Sequence, residues 1–300
     1  MSATDAARTE AARTDAAAAP SSDDLIARIR DLQPLIEQNA AQGEAERRVV
    51  EESITALTAA GIFKVAQPRR YGGYEASVRT MLDVSAAVAE ADGGTGWVVA
   101  LCNVCAWLTG LFSEQAQEDV WGTAPDAKVS GVLTPSAEAV RVDGGFRLTG
   151  RWFYNSGSWH ASWAILGFPI LDPDGNLIDQ GLALIPFTDL AIEETWFVAG
   201  MSSSGSNCLI ATDVFVPEHR IMSGLAAIEA TTRPSAPTRR STAPRSSRCS
   251  RWWWPDRSWA WAARRWSWSP TRRRARRSPT RSSTPRPTRP RSSSSWPRRP

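Results

Sequence analysis

The sequence predicts an α+β fold with its helices gathered ahead of its strands, and three observations carry that expectation. Between residues 22 and 121, apolar side chains recur at helical spacing. From residue 128 to 216 the chain breaks into short β-rich runs separated by turn signals. No strand–helix–strand alternation links the two stretches, so segregated helical and β layers are expected rather than a parallel βαβ sheet.

About five helices are expected. Ser22-Asp23-Asp24 forms an N-cap cluster ahead of Leu25, Ile26, Ile29, Leu32 and Ile36, which are spaced for one apolar stripe. A second helix runs through Val49, Val50, Ile54 and Leu57 and stops near Gly61. Gln67-Pro68 and Tyr71-Gly72-Gly73-Tyr74 mark an irregular connection, and a third helix covers Ser77 to Glu90. Asp92-Gly93-Gly94-Thr95 then breaks and caps, and Trp97 to Phe112 is almost wholly apolar, as a buried helix is. Ser113 caps a short helix that ends at Trp121.

About seven strands follow, at Lys128–Leu133, Ala139–Val142, Phe146–Tyr154, Trp163–Ile170, Gly181–Pro186, Ala191–Val198 and Cys208–Val216. Asp143-Gly144-Gly145 and Asp172-Pro173-Asp174-Gly175-Asn176 are the clearest turns between them. The expected organisation is a disordered tail at 1–22, a helical domain at 23–124, a barrel-like β-domain at 125–228, and a segment of different character at 229–300. The tail at 1–22 has no apolar h-region, so it does not read as a secretory signal. No run of 18 apolar residues suggests a membrane span. Four scattered cysteines (Cys102, Cys105, Cys208 and Cys249) suit reduced thiols in a cytoplasm.

The charge of +4 conceals a division at residue 230. Residues 231–300 hold 20 Arg, no Lys and one acid, Asp256, a net of +19 that leaves −15 on residues 1–230. They also hold 8 of the 15 Trp but no Ile, Leu or Val, so they cannot build a close-packed core. Apart from Asp256 they consist of Ser, Pro, Thr, Ala, Arg, Cys and Trp, the types encoded by codons with G or C at the second base. A GC-rich gene prefers those bases at the third position, and a frame displaced by one base moves them to the second. Reading Trp252–Ser269 one base upstream gives an apolar stretch rich in Val, Leu or Met, with closely spaced glycines. The segment therefore reads as frameshifted from near residues 225–232. The competing reading is a genuine Arg/Ser/Pro/Trp arm for nucleic acid.

Few motifs for chemistry are present. Only His160 and His219 are histidines, so no Cys/His metal cluster is expected. Cys102 and Cys105 lie inside the apolar helix, where core packing is the plain reading. There is no phosphate loop, no dinucleotide fingerprint and no nucleophile elbow. Four polar clusters remain. Gly93-Gly94-Thr95-Gly96-Trp97 opens the apolar helix and reads as a cap with a close approach. Thr134-Pro135-Ser136 follows a strand as turn chemistry. The stretch from Trp152 to Trp163 sets Trp and Tyr rings among Asn155, Ser156, Gly157, Ser158 and His160, either as a sheet core or as a wall for a flat ligand with polar edges. Gly200 to Asn207 is a hydroxyl-rich loop, either solvated or offering donors to an anion.

In this order the stretches GIFKVAQPRRYGGYEA (61–76), ADGGTGWVVAL (91–101), DVWGTAPDAKVSG (119–131), VDGGFRLTGRWFYNSGSWHASW (142–163) and WFVAGMSSSGSNCLIATDVFVPEHR (196–220) resemble the two-component, flavin-dependent monooxygenase branch of the acyl-CoA dehydrogenase superfamily. The resemblance covers about 24–228 and extends to hydroxylases of phenols, steroid-derived phenols and hydroxyphenylacetate. It implies an N-terminal helical domain, a middle β-domain that binds flavin, and a C-terminal four-helix bundle that builds a homotetramer and is not encoded in this frame. It implies reduced FMN or FAD as cofactor, no metal, a separate NAD(P)H-dependent flavin reductase as partner, and a small aromatic substrate hydroxylated with O2. The implied flavin-binding residues are Trp97, Thr134, Ser156, Gly157, Trp196, Ser204 and Ser206. Ser156 would lie near the N5 edge, and Ser204 and Ser206 near the phosphate or a neighbouring subunit's ligand. Ser156 and His160 are the catalytic candidates. Many relatives place a His in the helix after the GGTGW motif, and the matching residue here is Cys105. An acyl-CoA dehydrogenase using FAD is the rival within the fold, and an inactive fragment with non-specific nucleic-acid affinity is the non-enzymatic one.

Overall fold

The computed structural model describes residues 19–225 and Ala227, which fall within one compact unit. The expectations for the first 18 residues and for the Arg-rich segment lie outside the described residues. Among the described residues five α-helices come first, as expected. Helix α1 spans Ser22–Glu46, but its cap is Ser21 rather than the expected Ser22. Ser21 Oγ accepts from the Asp24 backbone N–H at 3.1 Å, and the Asp24 carboxylate accepts from the Ser21 N–H at 2.9 Å. That reciprocal pair needs the acid three residues after the hydroxyl, a spacing Ser21 has and Ser22 lacks.

Helix α2 spans Glu51–Ala59, α3 spans Val78–Ala89, α4 spans Gly93–Thr109 and α5 spans Glu114–Trp121. Ser77, Asp92 and Ser113 cap the last three through their side chains. Leu25, Ile29 and Ile36 of α1 pack with Ile54, Leu57, Val84, Val88, Val98 and Val99 into one apolar cluster. Helix α4 is buried along most of its length because it belongs to this cluster through Val98 and Val99 and to a second through Cys105, Ala106 and Leu108.

Eight strands follow among the described residues: β1 Val129–Val132, β2 Ala137–Val142, β3 Gly145–Asn155, β4 Trp163–Leu171, β5 Leu177–Pro186, β6 Ala191–Glu193, β7 Asn207–Pro217 and β8 Ile221–Ser223. They form two four-stranded sheets, ordered β1-β4-β5-β8 and β2-β3-β7-β6. β1 and β4 pair in parallel, and every other pairing is antiparallel. Two expectations are corrected. β6 stops at Glu193 instead of reaching Val198, because the Thr195 and Trp196 N–H groups donate to the Asn207 side chain instead of extending the ladder. β8, too short to show an alternating pattern, was not expected.

The first sheet lies between the helices and the second sheet, and strand periodicity makes that possible. Ala164, Leu166 and Phe168 of β4, with Ala183 and Ile185 of β5, join Trp152, Leu148 and Leu209 in the core between the sheets. The alternate residues Ile165, Leu182 and Leu184 join Cys105, Ala106 and Trp121 on the helical side. A sheet covered on both faces needs strands that are apolar at successive positions, which is how β4 reads.

Candidate active site

The site begins where β3 ends. The pairing of β3 with β7 slips between Trp152 and Asn155, and Tyr154 takes a left-handed backbone with φ of 69°. Gly157 follows at φ 73°, and a Cβ there would meet Val98 Cγ1 at 3.1 Å. Glycine therefore lets the turn after β3 lie directly on α4, and Ser156 is carried against the first turns of that helix.

Three hydroxyls and an indole meet at this contact. Trp97 Nε1 donates to Ser156 Oγ at 3.0 Å. Ser156 Oγ shares a hydrogen with Ser206 Oγ at 2.7 Å, and Ser206 Oγ with Ser204 Oγ at 2.8 Å. The Gly157 N–H donates to the Ser204 carbonyl at 2.9 Å, and Ser158 Oγ to the Gly205 carbonyl at 3.0 Å. All three serines of the row are buried. Sequence reasoning selected each of these residues but not their linkage into one row.

The loop supplying Ser204 and Ser206 is not the solvated segment that its composition suggests. Ser202, Ser203, Ser204 and Ser206 are buried, and residues 202–204 form a 3-10 turn against α1 and α4. The anion facing its donors belongs to the chain. The Glu44 carboxylate accepts from the Ser202 N–H at 3.2 Å, the Ser203 N–H at 3.5 Å and Ser203 Oγ at 3.4 Å. A Cβ on Gly94 would collide with Ser203 Oγ, which gives the GGTGW glycines a packing reason. Sequence reasoning missed Glu44, since nothing in a helical glutamate signals a partner 158 residues away.

The aromatic stretch divides at the slip in pairing after Trp152, since Trp152 and Tyr154 share strand parity yet end on opposite sides. Trp152 points into the core and donates from Nε1 to the Gly167 carbonyl at 2.7 Å. Tyr154 is 71% exposed and meets Trp196 edge-on, with ring centroids 6.0 Å apart. Trp97 is 45% exposed although its Nε1 is engaged. Within that stretch Trp152 is part of the core, whereas Tyr154 is exposed. Trp196 is tied to the serine loop by its own Nε1, which donates to the Met201 carbonyl at 3.1 Å.

Two of the expected residues stand outside the row. Thr134 lies on the exposed turn after β1, where its carbonyl accepts from Ser136, and it has no hydrogen bond to the serines. The His160 side chain is only 4% exposed, and its Nδ1 lies 3.2 Å from Glu51 Oε2 at the start of α2. Its Nε2 is buried and has no hydrogen-bond partner among the described residues. Burial pushes the His160 imidazole below its usual range, against the opposing pull of Glu51, so the ring is neutral near pH 7. Burial likewise raises the Cys102 thiol to about 12, and raises Cys105 as well. Cys105 therefore stays protonated and cannot act as a base in place of the expected His.

A flavin needs flat apolar contact and a polar group at the edge of its ring. Trp97 presents ring surface beside the buried hydroxyl of Ser156, and the exposed Tyr154 ring meets Trp196. Asn155, next in sequence to Ser156, is fully buried, and neither amide atom has a partner among the described residues, an arrangement that a bound polar group commonly explains. The residues fit such a ring.

Residues 27–124 match the acyl-CoA dehydrogenase N-terminal domain. Residues beyond that domain share in a wider similarity to the oxygenase subunits of flavin-dependent monooxygenases. The chain is 40% identical over 218 residues to the flavin-dependent monooxygenase oxygenase subunit HsaA of Rhodococcus jostii (strain RHA1), covering 72% of this chain and 56% of that one. It is 36% identical over 197 residues to the oxygenase component of p-hydroxyphenylacetate 3-hydroxylase from Acinetobacter baumannii, covering 66% of this chain and 46% of that one. The crystal structure of XiaF from Streptomyces sp. in complex with FADH2 and glycerol superposes with a TM-score of 0.68 at 34% identity, over 77% of this chain and 57% of that one. The chain spans about half the length of the curated relatives it matches.

Proposed function

We propose that this chain supplies the flavin-facing half of the oxygenase component of a two-component monooxygenase, which hydroxylates a small aromatic or phenolic molecule with reduced flavin and O2. The observation that carries the reading is the buried row from Trp97 through Ser156 to Ser206, with exposed aromatic rings beside it. The relatives named as oxygenases support it over an acyl-CoA dehydrogenase. When bound, reduced flavin supplies the electrons that activate O2 and delivers one oxygen atom to the substrate ring.

The chain's own residues have definable tasks. Ser156 accepts from Trp97, which fixes its oxygen beside the indole, where it would face the N5 edge of a bound flavin. Gly157 keeps this turn against α4. Trp97, Tyr154 and Trp196 would shield a bound ring from water, and Thr134 would meet it from the turn after β1. His160, neutral and with Nε2 unpaired, is the second catalytic candidate, because that nitrogen can take up a proton. A separate NAD(P)H-dependent reductase provides the reduced flavin, FMN or FAD, and the complex of XiaF with FADH2 supports the latter. The reading includes a cytoplasmic homotetramer, a domain division near residues 124 and 125, and a displaced reading frame behind residues 229–300. The DNA covering codons 222–300 tests the last point directly, since an intact frame with no missing or extra base removes it.

The functional test supplies the protein with a flavin reductase, NAD(P)H, O2 and a panel of phenols. Hydroxylated product is expected, and Ser156→Ala should raise hydrogen peroxide released per O2 consumed by about tenfold, the effect of losing one buried hydrogen bond. Unchanged coupling removes Ser156 from the site. Tight yellow FAD that is reduced by acyl-CoA thioesters would favour the dehydrogenase.

A further inference from the structure

Resting on that reading, we infer that Glu44 is a positioning residue for the candidate active site, acting through the serine loop to set the Ser156 hydroxyl. Glu44 lies in the last turn of α1, in the helical half, and touches none of the row itself. Its carboxylate holds the Ser202 and Ser203 N–H groups and Ser203 Oγ. Residues 202–204 form one 3-10 turn, so fixing its first two N–H groups fixes the backbone that carries Ser204. Ser204 then acts twice. Its carbonyl accepts from the Gly157 N–H, and its hydroxyl meets Ser206, which meets Ser156.

The alternative role for this loop is an anion cradle, the place the resemblance gives to a phosphate. Glu44 argues against that use of the Ser202 and Ser203 donors, because an incoming phosphate would have to displace a carboxylate and then sit beside its negative charge. The tight fit points the same way. Gly43 would bring a Cβ within 3.3 Å of Ser203 Cβ, and one on Gly94 would strike Ser203 Oγ, so the turn is wedged between α1 and α4 with no room for a ligand on that side. A wedge of this kind fixes position in one direction, and the carboxylate hydrogen bonds fix the rest.

The experiment separates positioning from plain stabilisation by a double-variant cycle. Reduced-flavin affinity is measured anaerobically, with reduced FMN and with FADH2, for the full chain and for Glu44→Ala, Glu44→Gln, Ser156→Ala and the Glu44→Ala/Ser156→Ala pair. Glu44→Ala should weaken binding by about tenfold in the parent, and by less than about twofold once Ser156 is gone. Glu44→Gln, which keeps an oxygen to accept from Ser202, should recover most of the loss. Equal factors in both backgrounds overturn the inference, because a structural role does not depend on Ser156. Amide exchange gives a readout without flavin: it should accelerate at 202–205 in Glu44→Ala and stay unchanged in β1 and β2. Uniform acceleration across the chain, or none, also overturns it. A parent chain that binds no reduced flavin sinks the proposed function itself, and the role of Glu44 with it. Parent binding with a factor independent of Ser156 sinks only the role of Glu44.

Discussion

His160 sets a chemical constraint that a pH titration can read. Its imidazole is held below its usual pKa of 6.5, first by burial, with Glu51 opposing. The unfolded chain therefore takes up a proton on this ring at a higher pH than the folded chain does. Stability is fully present above about pH 6.5 and falls as pH drops from there toward the lowered folded value. The slope from this one residue can reach about 1.4 kcal/mol per pH unit while only the unfolded state is protonated. Urea midpoints between pH 7.5 and 5.5 should fall in the parent and flatten in His160→Gln. A parent profile that rises toward acid pH would mean that Glu51 dominates and the ring is charged when folded. The same neutral state is what lets Nε2 accept a proton, so one titration bears on both stability and the proposed chemistry.

Helix α4 is the element on which the candidate site is assembled. Its N-terminus is capped by Asp92, whose carboxylate accepts from the Thr95 N–H at 2.7 Å and from Thr95 Oγ1 at 2.6 Å. One turn later it offers Trp97 to Ser156, and between these Gly94 lets Ser203 approach. Gly94→Ala should cost about 1–3 kcal/mol through overpacking, whereas Gly93→Ala, where a Cβ would meet nothing within 4 Å, should be nearly neutral. Chemical denaturation of the two variants checks the contrast, and equal losses would refute the close-approach account. This helix was legible in the sequence because capping and a long apolar run are local signals. The row of hydroxyls was legible only as two separate clusters, since Ser156 and Ser206 meet across 50 positions of chain. The parallel pairing of β1 with β4 and the short β8 were not legible, because tertiary context decides strand partners and a three-residue strand has no period. Glu44 was invisible for a related reason: two of its three partners are backbone N–H groups, which leave no mark in a sequence.

For the whole molecule, the decisive quantity is the opposition between −15 on residues 1–230 and +19 on residues 231–300. Twenty arginines interleaved with eight tryptophans combine phosphate attraction with ring stacking, whatever their origin in the gene. The acidic part repels polyanions but is joined to a segment of greater opposite charge, and screening over about 8–10 Å at ordinary ionic strength separates the two effects in space. The full chain should therefore purify with bound nucleic acid and bind single strands without sequence preference. Its affinity should fall by at least about tenfold between 50 and 200 mM salt, as release of several counterions requires. A chain ending at residue 230 should bind none at any salt concentration. Retention of nucleic acid by that shortened chain would place the affinity on the folded helices and sheets and overturn the assignment to charge. Binding that persists unchanged at high salt would mean that stacking by tryptophan outweighs the arginines. Both outcomes are read by fluorescence anisotropy with a labelled oligonucleotide. The shortened chain also serves as the control in any flavin-binding measurement, because a polycationic segment attracts flavin phosphates in proportion to the same salt dependence, whereas a ring held by Trp97 and Ser156 does not lose affinity in that way.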